Sequence, residues 1–459
     1  MNIAVNGRSK TTRTLGWHWL AVSIVGFALV LSGCDKHEEA AAAAPKGVLR
    51  IAIGNENTFE YMYADYFAAK FPELEVQIIP TEGIYGPGKK PLQELTKLID
   101  QEKPDLLFTS SFDYEKLASQ GKLYDLSALM EKDRFDLDNL LPAAVDYLRI
   151  KGQGSIYGLA PKFSSSVLFY NKELFDRYHI PYPTDQMTWA DMFRLAQRFP
   201  AEGGKGERVY GFHMGYMSSP QDLADYIGQA QGLGMIDAEG KKLLMQTDSW
   251  KRIYQLVMDG YRSGVLQWNY MPGKTRYEKE DVEAEDLFSI GRTAMTISNE
   301  GQLNALRQRG AAFEWGMVGT PSADPGHTRN PNFYLSPIYS INAQAEHVKS
   351  AWEVIKYFNG AEAARIEAKT SNDLPVRKAF AHEMDGHSLE PFYQVKYEET
   401  VQGGYNENVP GTFIEKYRSI AKQQVDAMLT GEVTVEQGLQ RIQEQGQQAL
   451  DEAYAAEVK

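Results

Sequence analysis

The chain has 459 residues, 43% hydrophobic, 12% aromatic and 24% charged, enough for two or three domains at about 150 residues each. This composition excludes intrinsic disorder, collagen and an extended coiled coil. Against 48 Lys and Arg stand 61 Asp and Glu, a net charge of −13 at pH 7 that repels phosphate backbones; no local basic stripe offsets it, so nucleic acid is excluded as a partner.

At the N-terminus, Arg8, Lys10 and Arg13 precede an apolar run from Leu20 to Leu31, broken only by Ser23 and Gly26, and then Ser32-Gly33-Cys34. The run is shorter than the roughly 20 residues of a membrane span and reads as an export signal over residues 1–33. Leu31-Ser32-Gly33-Cys34 resembles the lipobox of bacterial lipoproteins, which implies cleavage before Cys34 and a diacylglyceryl anchor on it. Cys34 is the only Cys. Once it is lipidated, no thiol remains for a disulfide, a metal or a nucleophile. Residues 34–46, with alanines 40 to 44 and Pro45, read as a tether.

From Gly47 the chain is globular. Val48 to Ile53 alternates as a strand and stops at Gly54-Asn55-Glu56-Asn57. Helical spacing from Tyr61 to Phe71, a strand Val76 to Ile79, a helix Pro91 to Gln101 and a buried strand through Phe108 follow. This alternation predicts an α/β domain with a mostly parallel sheet, whose strand ends carry Asn55 to Asn57 and Ser110 to Asp113 at one rim. Further on, helices are predicted over Trp189 to Phe199, Ser249 to Ser263, Val348 to Asn359, Pro410 to Leu429 and Val433 to Tyr454. Strands are predicted over Ser166 to Tyr170, Tyr210 to His213, Thr293 to Ile297 and Tyr339 to Asn342. Two sheet-and-helix groups in one chain predict two lobes with a cleft.

Catalytic motifs are missing from the sequence: there is no Walker loop, no G-x-G-x-x-G after a strand and no G-x-S-x-G elbow. His382 and His387 are five apart, whereas a zincin helix needs four, so this stretch reads as an exposed polar loop without a metal. The acidic segment Asp133 to Asn139 lacks the Gly and distal Glu of a calcium loop and reads as a solvated turn. No enzyme chemistry and no cofactor are expected.

Several stretches stand in a recognisable order: Pro104-Asp-Leu-Leu-Phe-Thr-Ser, Leu117 to Leu126, Ile156-Tyr-Gly-Leu-Ala-Pro, and Leu168 to Phe175. Thr188-Trp189-Ala-Asp-Met, Gly291 to Ile297, Ala351-Trp352-Glu353, Leu374-Pro-Val-Arg377 and Val433 to Leu439 continue it. From about Val48 to Leu450 the chain resembles the family 1 extracellular solute-binding proteins of ABC importers. The resemblance implies a two-lobed α/β fold of the periplasmic-binding-protein type (type II), with a central cleft and a hinge. Lobe 1 would comprise 47–160 and 333–380, lobe 2 161–332 and 381–459, with crossings near Ala160-Pro161-Lys162, Asn332 and Phe380. It also implies a monomer that captures a small polar solute, a mono- or oligosaccharide, and hands it to permease subunits from the outer face of the cytoplasmic membrane.

By the same resemblance the cleft is lined by Asn55, Glu56 and Asn57; by Ser110, Ser111, Phe112 and Asp113; and by Phe163, Ser164 and Ser165. Gly215, Tyr216 and Met217, then Asn299, Glu300 and Gly301, and finally Tyr334 and Thr412-Phe413 complete it. Such a set suits hydroxylated ligands, which need paired donors and acceptors and an aromatic face. Each residue also has a plain structural reading: Phe112, Phe163 and Phe413 as core, Asp113 as a helix cap, Glu56 and Glu300 as solvated carboxylates. Trp189, Trp250 and Trp352 are assigned to packing. Where oligosaccharide binders of the family commonly place Trp, this chain has Gln302 and Phe413, so the stacking surface is reduced unless Tyr85, Tyr216, Trp268 or Tyr405 supplies it. That leaves monosaccharides, short oligosaccharides or another polar solute. The Gly- and Pro-rich insert Thr81 to Lys90 is either a lid or a passive loop.

Overall fold

The computed structural model describes residues 45–86, 89–200, 208–215, 219–266, 283, 285–323, 330, 332–380, 383–397 and 409–457. The export signal, Cys34, most of the tether, Tyr216, Met217, Trp268 and Tyr405 lie outside them.

The first sheet begins with β1 (Gly47–Ile53), in which Leu49, Ile51 and Ala52 are buried. It pairs in parallel with β2 (Leu74–Pro80), from Gly47 opposite Leu74 to Ile53 opposite Pro80, and with β3 (Leu106–Thr109). The helical stretch between β1 and β2 is two helices, Glu56–Met62 and Ala64–Lys70, broken at Tyr63, whose φ is −131°. Phe59, Tyr63 and Phe67 still share one buried face and close on Phe358. Apolar spacing persists through the break, which is why the periodicity reads as one helix. β4 (Gly158–Leu159) closes one edge through a later strand, giving the order β2-β1-β3-β11-β4 once β11 (Ile338–Ile341) returns antiparallel to β3.

The second sheet has the order β7-β8-β6-β9, built from β6 (Ser166–Asn171), β7 (Tyr210–Phe212), β8 (Thr293–Asn299) and β9 (Trp315–Val318). Alternation along β6 divides its two faces. Val167 and Phe169 pack with Phe288, Trp315 and Phe392, whereas Leu168 joins the apolar body shared with the C-terminal helices. Those helices, Gly411–Thr430 and Val435–Glu457, pack on one another and on helix Asp248–Arg262.

Between the two sheets lies a third, made of the segments that connect them: β5 (Lys162–Ser164) flanked by β10 (Tyr334–Leu335) and β12 (Leu374–Pro375). Lys162 fastens it, its Nζ 2.5 Å from Asp373 and 3.7 Å from Glu367. Burial opposes the ammonium charge, but Asp373 and then Glu367 hold its pKa above the ordinary lysine value.

Three scaffold assignments stand and one is corrected. Trp189, Trp250 and Trp352 are 2%, 1% and 2% exposed, with the Trp352 indole donating to Asp133. Asp133 also pairs with Lys356, so the acidic turn is tied to helix Val348–Phe358. The segment read as an exposed polar loop is largely exposed but forms a hairpin, Glu383–Met384 against His387–Ser388, with the His387 ring stacked 3.4 Å from Trp315 and Asp385 paired with Arg307. His382 lies outside the described residues. No helix among the described residues is long and apolar enough to cross a membrane.

Candidate functional site

The strand registers bring both sheets to one place. In the first sheet the carboxyl ends of β1, β2 and β3 lead to Asn55, Thr81 and Ser110, and Ile338 of β11 lies opposite Thr109 at that same end. In the second, Asn299 at the end of β8 faces Ser166 at the start of β6, one residue from the hinge strand. The carboxyl ends of β1 to β3 and of β8 therefore lie beside the three-stranded connecting sheet, and in open α/β sheets ligands bind outside such strand ends.

On the first-lobe side, Asn55 caps helix Glu56–Met62 through Thr58 and bonds Glu82, while Glu56 and Asn57 are exposed. Ser110 caps helix Ser111–Ser119, accepting from the Asp113 amide at 3.1 Å and donating to Asp113 Oδ2 at 2.6 Å. The Tyr85 hydroxyl donates to the same oxygen at 2.8 Å. Burial and then the Asp113 carboxylate keep that phenol protonated well above its ordinary range. The described part of the insert is thus docked: Ile84 is buried and Tyr85 reaches Asp113.

Ser111 links this rim to the hinge, donating to the Leu335 carbonyl at 2.6 Å and accepting from its amide at 3.2 Å. Tyr334, next along, pairs with Ser164 in register and leaves 45% of its surface exposed. Ser164 Oγ donates to Glu300 Oε2 at 3.0 Å. Burial pushes the Glu300 carboxyl up, countered in part by that hydroxyl and nearby amides. Gly301 opens the helix that follows, and its amide bonds Asn299. Tyr85, Phe112 and Tyr334 are all among the exposed large side chains, at 48%, 44% and 45%. Phe112 carries Lys116 over its ring.

Five of the expected lining residues are buried: Asp113 at 1%, Phe163 at 3%, Ser164 at 5%, Ser165 at 1% and Phe413 at 0% exposed. Phe413 is fully buried and stacks on Tyr417, because helix Gly411–Thr430 turns its 413, 417, 421, 425 and 428 stripe into the core. Phe163 is 3% exposed, wedged between Phe333 and Tyr393 on the opposite face of the hinge strand from Ser164. Ser165 is 1% exposed and its hydroxyl is taken by Asn330, which also holds the Ser166 carbonyl. Asn330, Glu82 and His213 also stand at these strand ends: Glu82 lies in the 81–90 insert and His213 follows β7, whereas no sequence pattern marks Asn330. Among the described residues no group of three His, Cys, Asp or Glu side chains is placed to hold a metal ion.

The family described as bacterial extracellular solute-binding protein matches residues 54–365. The chain is 21% identical over 362 residues to the sn-glycerol-3-phosphate-binding periplasmic protein UgpB of Rhizobium meliloti strain 1021, covering 73% of this chain and 77% of that one. Among solved structures, a sugar transporter from Rhizobium etli in an open conformation superposes with a TM-score of 0.62 at 20% identity, over 87% of this chain and 99% of that one. The sugar-binding protein MalE from Xanthomonas citri superposes with a TM-score of 0.62 at 14% identity, over 90% and 100%.

Proposed function

Because the chain belongs to the bacterial extracellular solute-binding protein family and has its two-lobed type II periplasmic-binding-protein fold, we propose that it is the lipid-anchored receptor of an ABC importer for a carbohydrate-like solute. Its relatives are binding proteins, and it is a binding protein rather than an enzyme. The observation that carries the proposal is the convergence of both sheets' carboxyl ends on one hinge, with Asn55, Ser110, Ser111 and Glu300 beside the exposed rings of Tyr85, Phe112 and Tyr334. Polar pairs with an apolar ring face are what a sugar requires, hydroxyls on its edge and C–H groups on its face.

In this reading lobe 1 is 47–160 with 333–380 and lobe 2 is 161–332 with 381–459. The solute touches both only when they close, which shifts the population to the closed state, and three bonded crossing strands restrict the motion to a hinge. Cys34 holds the receptor at the membrane's outer face by a lipid, through the tether, and the closed form is what the permease subunits receive. Two of these similar proteins are named for sugars and one for a phosphate ester. The half-exposed aromatic rims and the carboxylates at the hinge support the former.

The test is thermal denaturation of the purified protein with mono- and oligosaccharides, polyols, sn-glycerol 3-phosphate, amino acids and metal ions. A ligand at 100 times its Kd stabilises by about 2.7 kcal/mol. Stabilisation by a sugar or polyol is expected; stabilisation only by another solute class overturns the carbohydrate assignment.

A further inference from the structure

The second sheet has two ends. Ser166 lies opposite Asn299 at one, beside the connecting sheet, and Asn171 lies opposite Trp315 at the other. Five residues of extended strand separate them by about 16 Å. At the far end, where β6 finishes and β8 and β9 begin, a cavity of about 390 Å³ is walled by Asn171, Arg177, Gly291, Arg309 and Phe313, with the exposed Glu173 also lining it. That volume falls within the range of pockets that take small molecules.

Asn171 is 2% exposed. Its Oδ1 accepts from the Leu174 amide at 3.1 Å and caps helix Lys172–Arg177, which leaves Nδ2 with no acceptor among the described residues. Nδ2 stands 3.9 Å from where a Cβ on Gly291 would fall, and Gly291, at φ 73°, lines the same cavity. Glycine there keeps the amide uncovered. A buried donor left unmade is rare in a folded chain, so this one points to a ligand that supplies the acceptor.

Charge sets the kind of acceptor. Arg177 is exposed and has neither an acidic partner nor a hydrogen bond among the described residues. Arg309 Nε lies 3.6 Å from Asp286 Oδ2, outside hydrogen-bond distance, so its other donors remain open. The backbone does not compete for them: the carbonyls of Leu306 and Arg307, at the end of helix Gly301–Arg309, are taken by the amides of Ala311 and Gly310. Two guanidinium groups and one primary amide outweigh the single solvated carboxylate of Glu173, whose repulsion water and salt screen. Leu174, Ile290 and Phe313 give the remaining wall an apolar surface.

We propose that this cavity is a second binding site, separate from the cleft, for a small organic anion whose carboxylate or phosphate takes the Asn171 amide and the Arg177 and Arg309 guanidinium groups. It lies at the opposite end of the sheet from Asn299, so it fills independently of the cleft.

The test is isothermal titration calorimetry of inorganic phosphate and of succinate into the purified protein, run on the parent and on Arg177→Gln, Arg309→Gln and Asn171→Asp. In parallel, NMR follows the side-chain amides of ¹⁵N-asparagine-labelled parent. Asn171→Asp keeps the helix cap and removes the donor. Phosphate or succinate binds the parent and shifts the Asn171 amide resonance; each arginine variant loses about tenfold in affinity, and Asn171→Asp, which sets a carboxylate where the donor stood, loses more. Tighter binding of phosphate assigns a phosphate ester as the ligand class, tighter binding of succinate a carboxylic acid. Arg177 is exposed, so Arg177→Gln folds like the parent and decides the matter if Asn171→Asp does not fold. No binding of either anion at millimolar concentration, or binding that leaves the Asn171 resonance in place and survives both arginine substitutions, overturns the site. No arm uses a sugar, so failure here leaves the receptor reading standing.

Discussion

Ser164 on β5 donates its hydroxyl to Glu300 at the end of β8, 3.0 Å away, so the crossing strand and the loop after β8 share one hydrogen bond. The Glu300 carboxyl is raised first by burial, with a further push from Asp373, and eased by backbone amides and the Ser164 hydroxyl. With the folded value above the unfolded one, ionisation costs stability as pH rises through it. Glu300→Gln is therefore expected to leave the melting temperature at pH 7 unchanged or higher. It should also weaken sugar binding about tenfold, since a hydrogen bond to a charged group is worth about 1.5–3 kcal/mol. Melting and calorimetry on the same preparation check both; loss of stability with affinity unchanged would remove Glu300 from the site.

The aromatic side chains divide into cleft and core. Phe413→Ala should cost about 3–5 kcal/mol of stability, as other buried Phe truncations do, and leave the affinity of the folded fraction alone. Phe112→Ala and Tyr334→Ala, at half-exposed positions, should change stability by only about 0.5 kcal/mol and reduce affinity several-fold. Denaturant unfolding beside ligand titration separates the two classes.

Asp225, in helix Pro220–Ala230, has an Oδ1 buried without a hydrogen-bond partner among the described residues. Burial, then Asp222, pushes its carboxyl up from 3.8 to about 7, with Gln221 and Arg418 pulling the other way. Between those values the folded chain keeps a proton that the unfolded chain has released. The stability it contributes is thus full below the unfolded value and is lost as pH rises through about 7. Asp225→Asn should melt a few degrees above the parent at pH 8 and near it at pH 4, as a series of melting curves across that range will show.

Gly215 has no room for a side chain, since a Cβ there would fall 1.6 Å from the Glu285 carbonyl oxygen. A backbone atom cannot swing away as a side chain can. Gly215→Ala should therefore force the backbones at 215 and 285 apart and cost about 1–3 kcal/mol of stability, measured by denaturant unfolding.

Most of the sheet framework was legible because strands alternate and helices repeat: Val48 to Ile53, the 248–262 helix and the two C-terminal helices fall within a few residues of expectation. The loops proposed for the site, Asn55 and Ser110 to Asp113, are legible as positions because strand ends mark them. Phe413 was placed in the cleft by likeness, although its own spacing to Tyr417, Ala421, Val425 and Met428 marks a buried stripe. Phe163 and Ser164 needed the direction of a three-residue strand, which is too short to show a period. The stack of His387 on Trp315 joins residues 72 apart, and local pattern carries no trace of it.

Capture between closing lobes is tested most directly by small-angle X-ray scattering of the purified protein, alone and saturated with a sugar or polyol that stabilises it. Closure about the Lys162–Ser164 hinge predicts a smaller radius of gyration with ligand, and a smaller contraction in Glu300→Gln at the same concentration. A sugar that binds and stabilises the protein yet leaves the scattering profile unchanged would contradict it.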